Sequence, residues 1–110
     1  VVRLLLEDNA DKDKANKNRV TPLYIAAQTG QFEVARFLLE SNADADKTQN
    51  KGFTPLYISA QKGHLQVARL LLEANADKDK AMQDGDTPLH VAAQKGHLQV
   101  ARLLLEANAD

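Results

Sequence analysis

The sequence predicts an all-α solenoid, a stack of helix-turn-helix units joined by projecting hairpin loops. Three observations carry that prediction. The tripeptide Thr-Pro-Leu recurs at Thr21, Thr54 and Thr87, a spacing of 33 residues each time. A glycine follows each threonine nine positions later, at Gly30, Gly63 and Gly96. Each unit then closes on Asn-Ala-Asp, beginning at Asn42, Asn75 and Asn108. A unit of this length cannot bury both faces of its own apolar stripe, so neighbours must serve as each other's core.

Within one unit the residues define two short helices. Thr54 is a good N-cap because its hydroxyl can accept from an orphan amide, and Pro55 suits the first helical position, where its missing donor costs nothing. Leu56, Ser59 and Ala60 form a narrow stripe of small and apolar groups suited to close helix packing. Gly63 supplies the left-handed conformation that ends this helix. The second helix, Leu65 to Ala74, turns Leu65, Ala68, Leu71 and Leu72 inward and keeps Gln66, Arg69 and Glu73 for water. Asn75 then takes the left-handed cap, since Asn tolerates that region best after Gly. Arg and Glu stand four apart at Arg3/Glu7, Arg36/Glu40, Arg69/Glu73 and Arg102/Glu106; with the base first, each pair is worth only about 0.3 kcal/mol. The linking segment Lys78 to Asp86 is polar and turn-forming, with Gly85 free to take positive φ, and Gly52 holds the matching place.

The register extends to the chain's opening, where Val1 to Asp11 lines up with Val34 to Asp44. The expected organisation is one array over 1–110, with a partial unit at 1–15 and units at about 16–48, 49–81 and 82–110. From Thr54 and Thr87 onward the last two units differ only where Tyr57, Ile58 and Ser59 become His90, Val91 and Ala92.

Composition agrees with a folded soluble chain: 110 residues, 44% hydrophobic, 26% charged and 5% aromatic. Fourteen Lys and Arg oppose 15 Asp and Glu, a net charge of -1, so no global field recruits nucleic acid or an acidic membrane. There is no cysteine, which excludes disulfides and thiolate chemistry and fits an intracellular, cytoplasmic setting. The longest apolar runs, such as Leu70 to Leu72, are too short to span a bilayer.

These residues resemble a known family. Thr87-Pro88-Leu89-His90, Ala92-Ala93, Gly96-His97, Leu103-Leu104-Leu105 and the Asn-Ala-Asp ending are similar to the ankyrin repeat, and the in-phase motifs cover the whole chain. The resemblance implies a curved stack with first helices on the concave side, second helices on the convex side and hairpin tips projecting. It also implies a protein-binding scaffold rather than an enzyme. The chain departs from the family pattern at Asn9, Asn42, Asn75 and Asn108, where Gly is usual after the second helix, and in the residues that follow Ala-Asp. Tyr24 and Tyr57 stand in place of the motif's histidine, which puts its hydrogen bond to threonine in doubt there. Arg19 replaces the hairpin glycine, so the first hairpin is expected to be the least regular or most mobile.

The candidates for chemistry all have simpler structural roles. His64 and His97 are equivalent positions, roughly 8 to 10 Å apart if stacking follows normal helix spacing, too far to share one zinc ion. Backbone hydrogen bonding is their expected role, and a structural hydrogen bond beside Thr87 is that of His90. The pairs Asp11/Asp13, Asp44/Asp46 and Asp77/Asp79 lack the remaining ligands of a calcium loop and read as turn acceptors. No nucleophile elbow or phosphate loop is present. No catalytic, metal or cofactor residue is therefore assigned, and none of these groups is expected as a cofactor site.

Function is instead expected at positions that stacking leaves free. These are the hairpin tips, with Lys17, Asn18, Val20, Asn50, Lys51, Phe53, Gln83, Asp84 and Asp86, and the first-helix ends, with Gln28, Thr29, Gln61, Lys62, Gln94 and Lys95. Phe53 is the expected anchor for a protein partner, on the premise that an apolar side chain at a tip buries nothing at home. Charge grades from Lys17, Arg19 and Lys51 at the first tips to Asp84 and Asp86 at the last. The competing readings are a structural spacer within a longer array, favoured by the near-identical units, and an engineered repeat scaffold. Leu98, Val100, Leu103 and Leu104 face a neighbour in the internal unit, so part of this set is expected to lie uncovered; a longer parent chain or end-to-end self-association follows.

Overall fold

A computed structural model describes residues 15–82 and 84–107. Among the described residues there are six helices and no strand. They are α1 (Pro22–Thr29), α2 (Phe32–Glu40), α3 (Pro55–Lys62), α4 (Leu65–Glu73), α5 (Pro88–Lys95) and α6 (Leu98–Ala107). The expectations placed on Asn9, Asn108, Arg3/Glu7, Asp11/Asp13 and the partial unit lie outside the described residues.

Each first helix starts as its threonine dictates. Thr21, Thr54 and Thr87 are extended, and their hydroxyls accept from the amides of Tyr24, Tyr57 and His90 at 3.1, 3.0 and 3.2 Å. Gly30, Gly63 and Gly96 end these helices at φ near 76°. The next amide reaches back into the last turn, from Gln31 to the Ala26 carbonyl, His64 to Ser59 and His97 to Ala92, each at 2.9 Å. That paired closure leaves few helix-end carbonyls unsatisfied. Asn42 and Asn75 close α2 and α4 in the same manner, at φ 68° and 66°. The following Ala43 and Ala76 amides bond to Leu38 and Leu71 at 3.0 and 2.9 Å, and both alanines are buried.

Packing follows from small residues. Within each pair the helices contact one another, α1 packs on α3 and α3 on α5, and on the other side α2 packs on α4 and α4 on α6. Ala26, Ala27, Ser59, Ala60 and Ala92 let the first helices approach closely, all at most 2% exposed. The Ser59 hydroxyl is satisfied by the Leu56 carbonyl at 2.9 Å. The stripe read from sequence is too narrow here, because α3 is sandwiched between two neighbours and buries every residue from Pro55 to Ala60. In the second helices Ala35, Leu38, Val67, Ala68, Leu71, Val100 and Leu104 are buried, while Gln66, Arg69 and Glu73 face solvent.

Two expectations need correction. The first hairpin is as regular as the others. Arg19 adopts φ 64°, in the glycine position, and its amide bonds to Asn16 at 2.8 Å just as Gly52 bonds to Gln49 at 2.9 Å. The turn is held from within as in the second hairpin: Asn16 Oδ1 accepts from the amides of Asn18 and Val20 at 2.8 and 3.1 Å, as Gln49 Oε1 does from those of Lys51 and Phe53 at 2.6 and 3.1 Å. Second, Arg36 turns away from Glu40 to pair with Glu33 at 3.1 Å and lies 5.8 Å from the centre of the Phe32 ring. Helical side chains lean toward the N-terminus, which favours the partner one turn earlier. Among the described residues no ion pair joins Arg69 to Glu73 or Arg102 to Glu106. Part of the set Leu98, Val100, Leu103 and Leu104 is uncovered, as expected: Leu98 is 68% exposed and Leu103 half-buried, while Val100 and Leu104 are buried. Leu105, outside that set, is 58% exposed.

Candidate functional site

The hairpins and first-helix ends are held in place by bonds that run from one helix pair to the next. At the tips, the Asn50 amide donates to the Asn18 carbonyl at 3.1 Å, which sets the first two hairpins side by side. Lower on the hairpins, the Asp77 amide donates to Asp46 Oδ1 at 2.9 Å. Asp44 and Asp77 accept from the amides of Asp46 and Asp79, both at 3.0 Å, so the described Asp-x-Asp pairs hold turns.

At the other end of the first helices the histidines act as wedges. His64 Nε2 lies 3.1 Å from the Gln28 carbonyl and His97 Nε2 2.9 Å from that of Gln61. A carbonyl only accepts, so Nε2 carries the proton in both rings. Each ring covers the glycine of the preceding pair so closely that a Cβ on Gly30 or Gly63 would come within 2.7 Å of Nδ1. The backbone-bonding role read from sequence holds, and the structure adds why Gly is needed beneath the ring. His90 behaves differently: its Nδ1 accepts from the Thr87 amide at 3.2 Å while Thr87 Oγ1 accepts in return, a reciprocal cap.

Where tyrosine replaces that histidine, the cap loses its return bond. Tyr57 instead extends to the third hairpin, and its hydroxyl donates to Asp86 Oδ2 at 2.6 Å. Burial and the facing Asp86 and Asp84 carboxylates push the Tyr57 phenol up to about 12, since each disfavours a second negative charge. Burial alone raises that of Tyr24.

Tyr57 also overturns the premise about Phe53. The Phe53 ring folds back onto it, with centroids 5.0 Å apart and planes tilted by 39°, and is half-buried against the core. Val20, one hairpin earlier, packs inward in the same way. Both rest on their own fold because the residue just before the capping threonine already turns toward the helices. Sequence distance from the tip gave no sign of it.

The other sequence-chosen positions divide simply. Lys17, Asn18, Gln28, Thr29, Asn50, Lys51, Lys62, Asp84, Gln94 and Lys95 are exposed. Gln61 and Asp86 are half-buried, and Gln83 is outside the described residues. The tips and the helix ends form two separate groups, since an eight-residue helix puts about 12 Å between them. One surface residue escaped the sequence reading: Ile25 of α1 is 47% exposed although its equivalents Ile58 and Val91 are buried. The repeat register marks it as core, and only the packing shows otherwise.

Comparison with known proteins is consistent with this architecture. No helix among the described residues is long and apolar enough to cross a membrane. No curated protein matches the chain. A family model described as ankyrin repeats, in three copies, matches residues 1–49 and 41–110. Ankyrin repeats are in general protein-protein interaction modules, and the chain, matched from end to end, belongs to the ankyrin repeat family.

Proposed function

We propose that this chain is a non-catalytic scaffold that binds a protein partner through its hairpin tips and the exposed ends of its first helices. One observation carries the reading: stacking uses the apolar side chains, the caps, His64 and His97, yet leaves Lys17, Lys51, Gln28, Lys62 and Lys95 exposed, on tips tied by the Asn50–Asn18 bond and on helix ends of which the first two are held by the histidines at the Gln28 and Gln61 carbonyls. Such preset side chains lose little entropy on docking. A complex of standard size would bury about 1,200–2,000 Å² in total. Phe53 and Val20 contribute by holding the tips rather than as anchors.

The test is affinity capture from an extract with the parent chain and with a variant carrying Gln28→Ala, Lys51→Ala and Lys62→Ala. Retained melting temperature and helical signal with loss of the captured protein supports the reading. Capture at undiminished strength sends the interface to another face. The near identity of the second and third helix pairs favours one alternative, a spacer within a longer array. A chain lacking 49–81 but still supporting its parent's activity would favour that alternative.

A further inference from the structure

The tips differ in charge along the row, and the difference has a chemical consequence for what can lie across them. Lys17 and Arg19 on the first tip and Lys51 on the second are exposed, and among the described residues none is held in an ion pair. Neither tip, residues 15–20 or 48–53, contains an acidic side chain. The third tip reverses this, with Asp84 exposed, Asp86 beside it and no base from 82 to 86. The bond between Asn50 and Asn18 fixes the two basic tips next to each other.

Stacked helices stand about 8–10 Å apart, so successive tips repeat at about that distance. A segment in the polyproline II form advances about 3.1 Å per residue with three residues per turn, so every third side chain points the same way and meets the next tip. Deepening the scaffold reading and resting on it, we propose that the tip row recognises a protein segment in the polyproline II form. It carries carboxylates opposite the first two tips and a basic side chain opposite the third, at three-residue intervals. The occupant is a peptide rather than a nucleic acid strand, because Asp84 and Asp86 repel a uniform run of phosphates that the first two tips would attract.

The probe is a fluorescein-labelled peptide containing Glu-Gly-Ser-Glu-Gly-Ser-Lys, measured by anisotropy against the whole chain in about 50 mM salt, where exposed charges are weakly screened. The expected result is binding about fivefold tighter than that of the same peptide with Gln for both Glu, the sum of a few exposed pairs. Lys51→Glu should abolish that preference, as should Lys17→Glu if the first variant proves unstable. Asp84→Lys should reverse the ranking between the Lys-ended peptide and one ending in Glu. Equal binding of the Glu and Gln peptides overturns the proposal, as does an unmoved ranking in Asp84→Lys or tighter binding of single-stranded DNA of similar length. A captured protein released by Lys62→Ala but indifferent to Lys51→Glu would leave the scaffold reading standing and remove this one.

Discussion

At Tyr57 the phenol leaves its own helix and donates to Asp86 across the seam between the second and third pairs at 2.6 Å. Its raised pKa makes this contact visible as alkaline instability. The folded chain holds the phenolic proton more tightly than the unfolded chain, so the contribution is complete below about pH 10 and is lost as pH rises to about 12. Tyr57→Phe should cost about 1–2 kcal/mol at neutral pH and flatten the fall in urea midpoint between pH 10 and 12. The burial of Tyr24 leaves a smaller slope behind. A variant whose midpoint falls as steeply as the parent's would separate the bond from stability. At the opposite end of the helix, Gly63 and Gly96 share φ near 76°, but a Cβ meets the His97 ring at 2.7 Å on the first and nothing within 4 Å on the second. Gly96→Ala should therefore cost only the left-handed penalty, about 1–2 kcal/mol, and Gly63→Ala about 1–2 kcal/mol more. Adding His97→Ala to Gly63→Ala should cost less than the two changes summed, a coupling that a double-mutant cycle in urea reads directly.

Elements were legible where a single residue type has one job. Threonine followed by proline, glycine nine residues on and asparagine at the unit's end each fixed a boundary that the backbone reproduces within a residue. Periodicity failed where two neighbours act on one element, which is why α3 is buried beyond its apparent stripe, whereas Phe53 looked free because its place at a tip gives no sign of the Tyr57 ring it rests on. The first hairpin was misread for a related reason. The absence of glycine at Arg19 signalled an irregular or mobile hairpin, but the Asn16 side chain that holds the turn lies three residues away and acts through two amides that no propensity scale represents. The left-handed Arg19 remains a cost, and φ 64° with the side chain exposed leaves glycine free to replace it. Arg19→Gly should raise stability by about 0.5–1 kcal/mol, seen as a higher denaturant midpoint at unchanged slope. A lower midpoint would mean that the guanidinium makes a contact worth more than the backbone strain. Because this change also removes a tip cation, its stability and its peptide affinity should move in opposite directions.

Across the whole molecule, stability is shared between neighbours, so equivalent residues differ in exposure according to what stands behind them. Ala60 and Leu56 are completely buried under the third pair, whereas their counterparts Ala93 and Leu89 are exposed and half-buried. Leu98 and Leu105 show the same relation to Leu65 and Leu72. In a stack, stability is a sum of unit and interface terms, and each new interface adds to it. Appending a further copy of residues 78–110 should cover this face, raise the melting temperature and lengthen the cooperative unit. The appended histidine equivalent to His97 would then sit over Gly96, as His64 sits over Gly30 and His97 over Gly63. Gly96→Ala, cheap in the parent, should become as costly in the extended chain as Gly63→Ala is in both. That transfer of cost to an unchanged residue is a sharper test than the melting temperature, because extra length alone could raise stability without using the same seam. If Gly96→Ala stayed cheap while the extended chain folded, the histidine over the glycine would be an accident of two interfaces rather than the rule by which these units join.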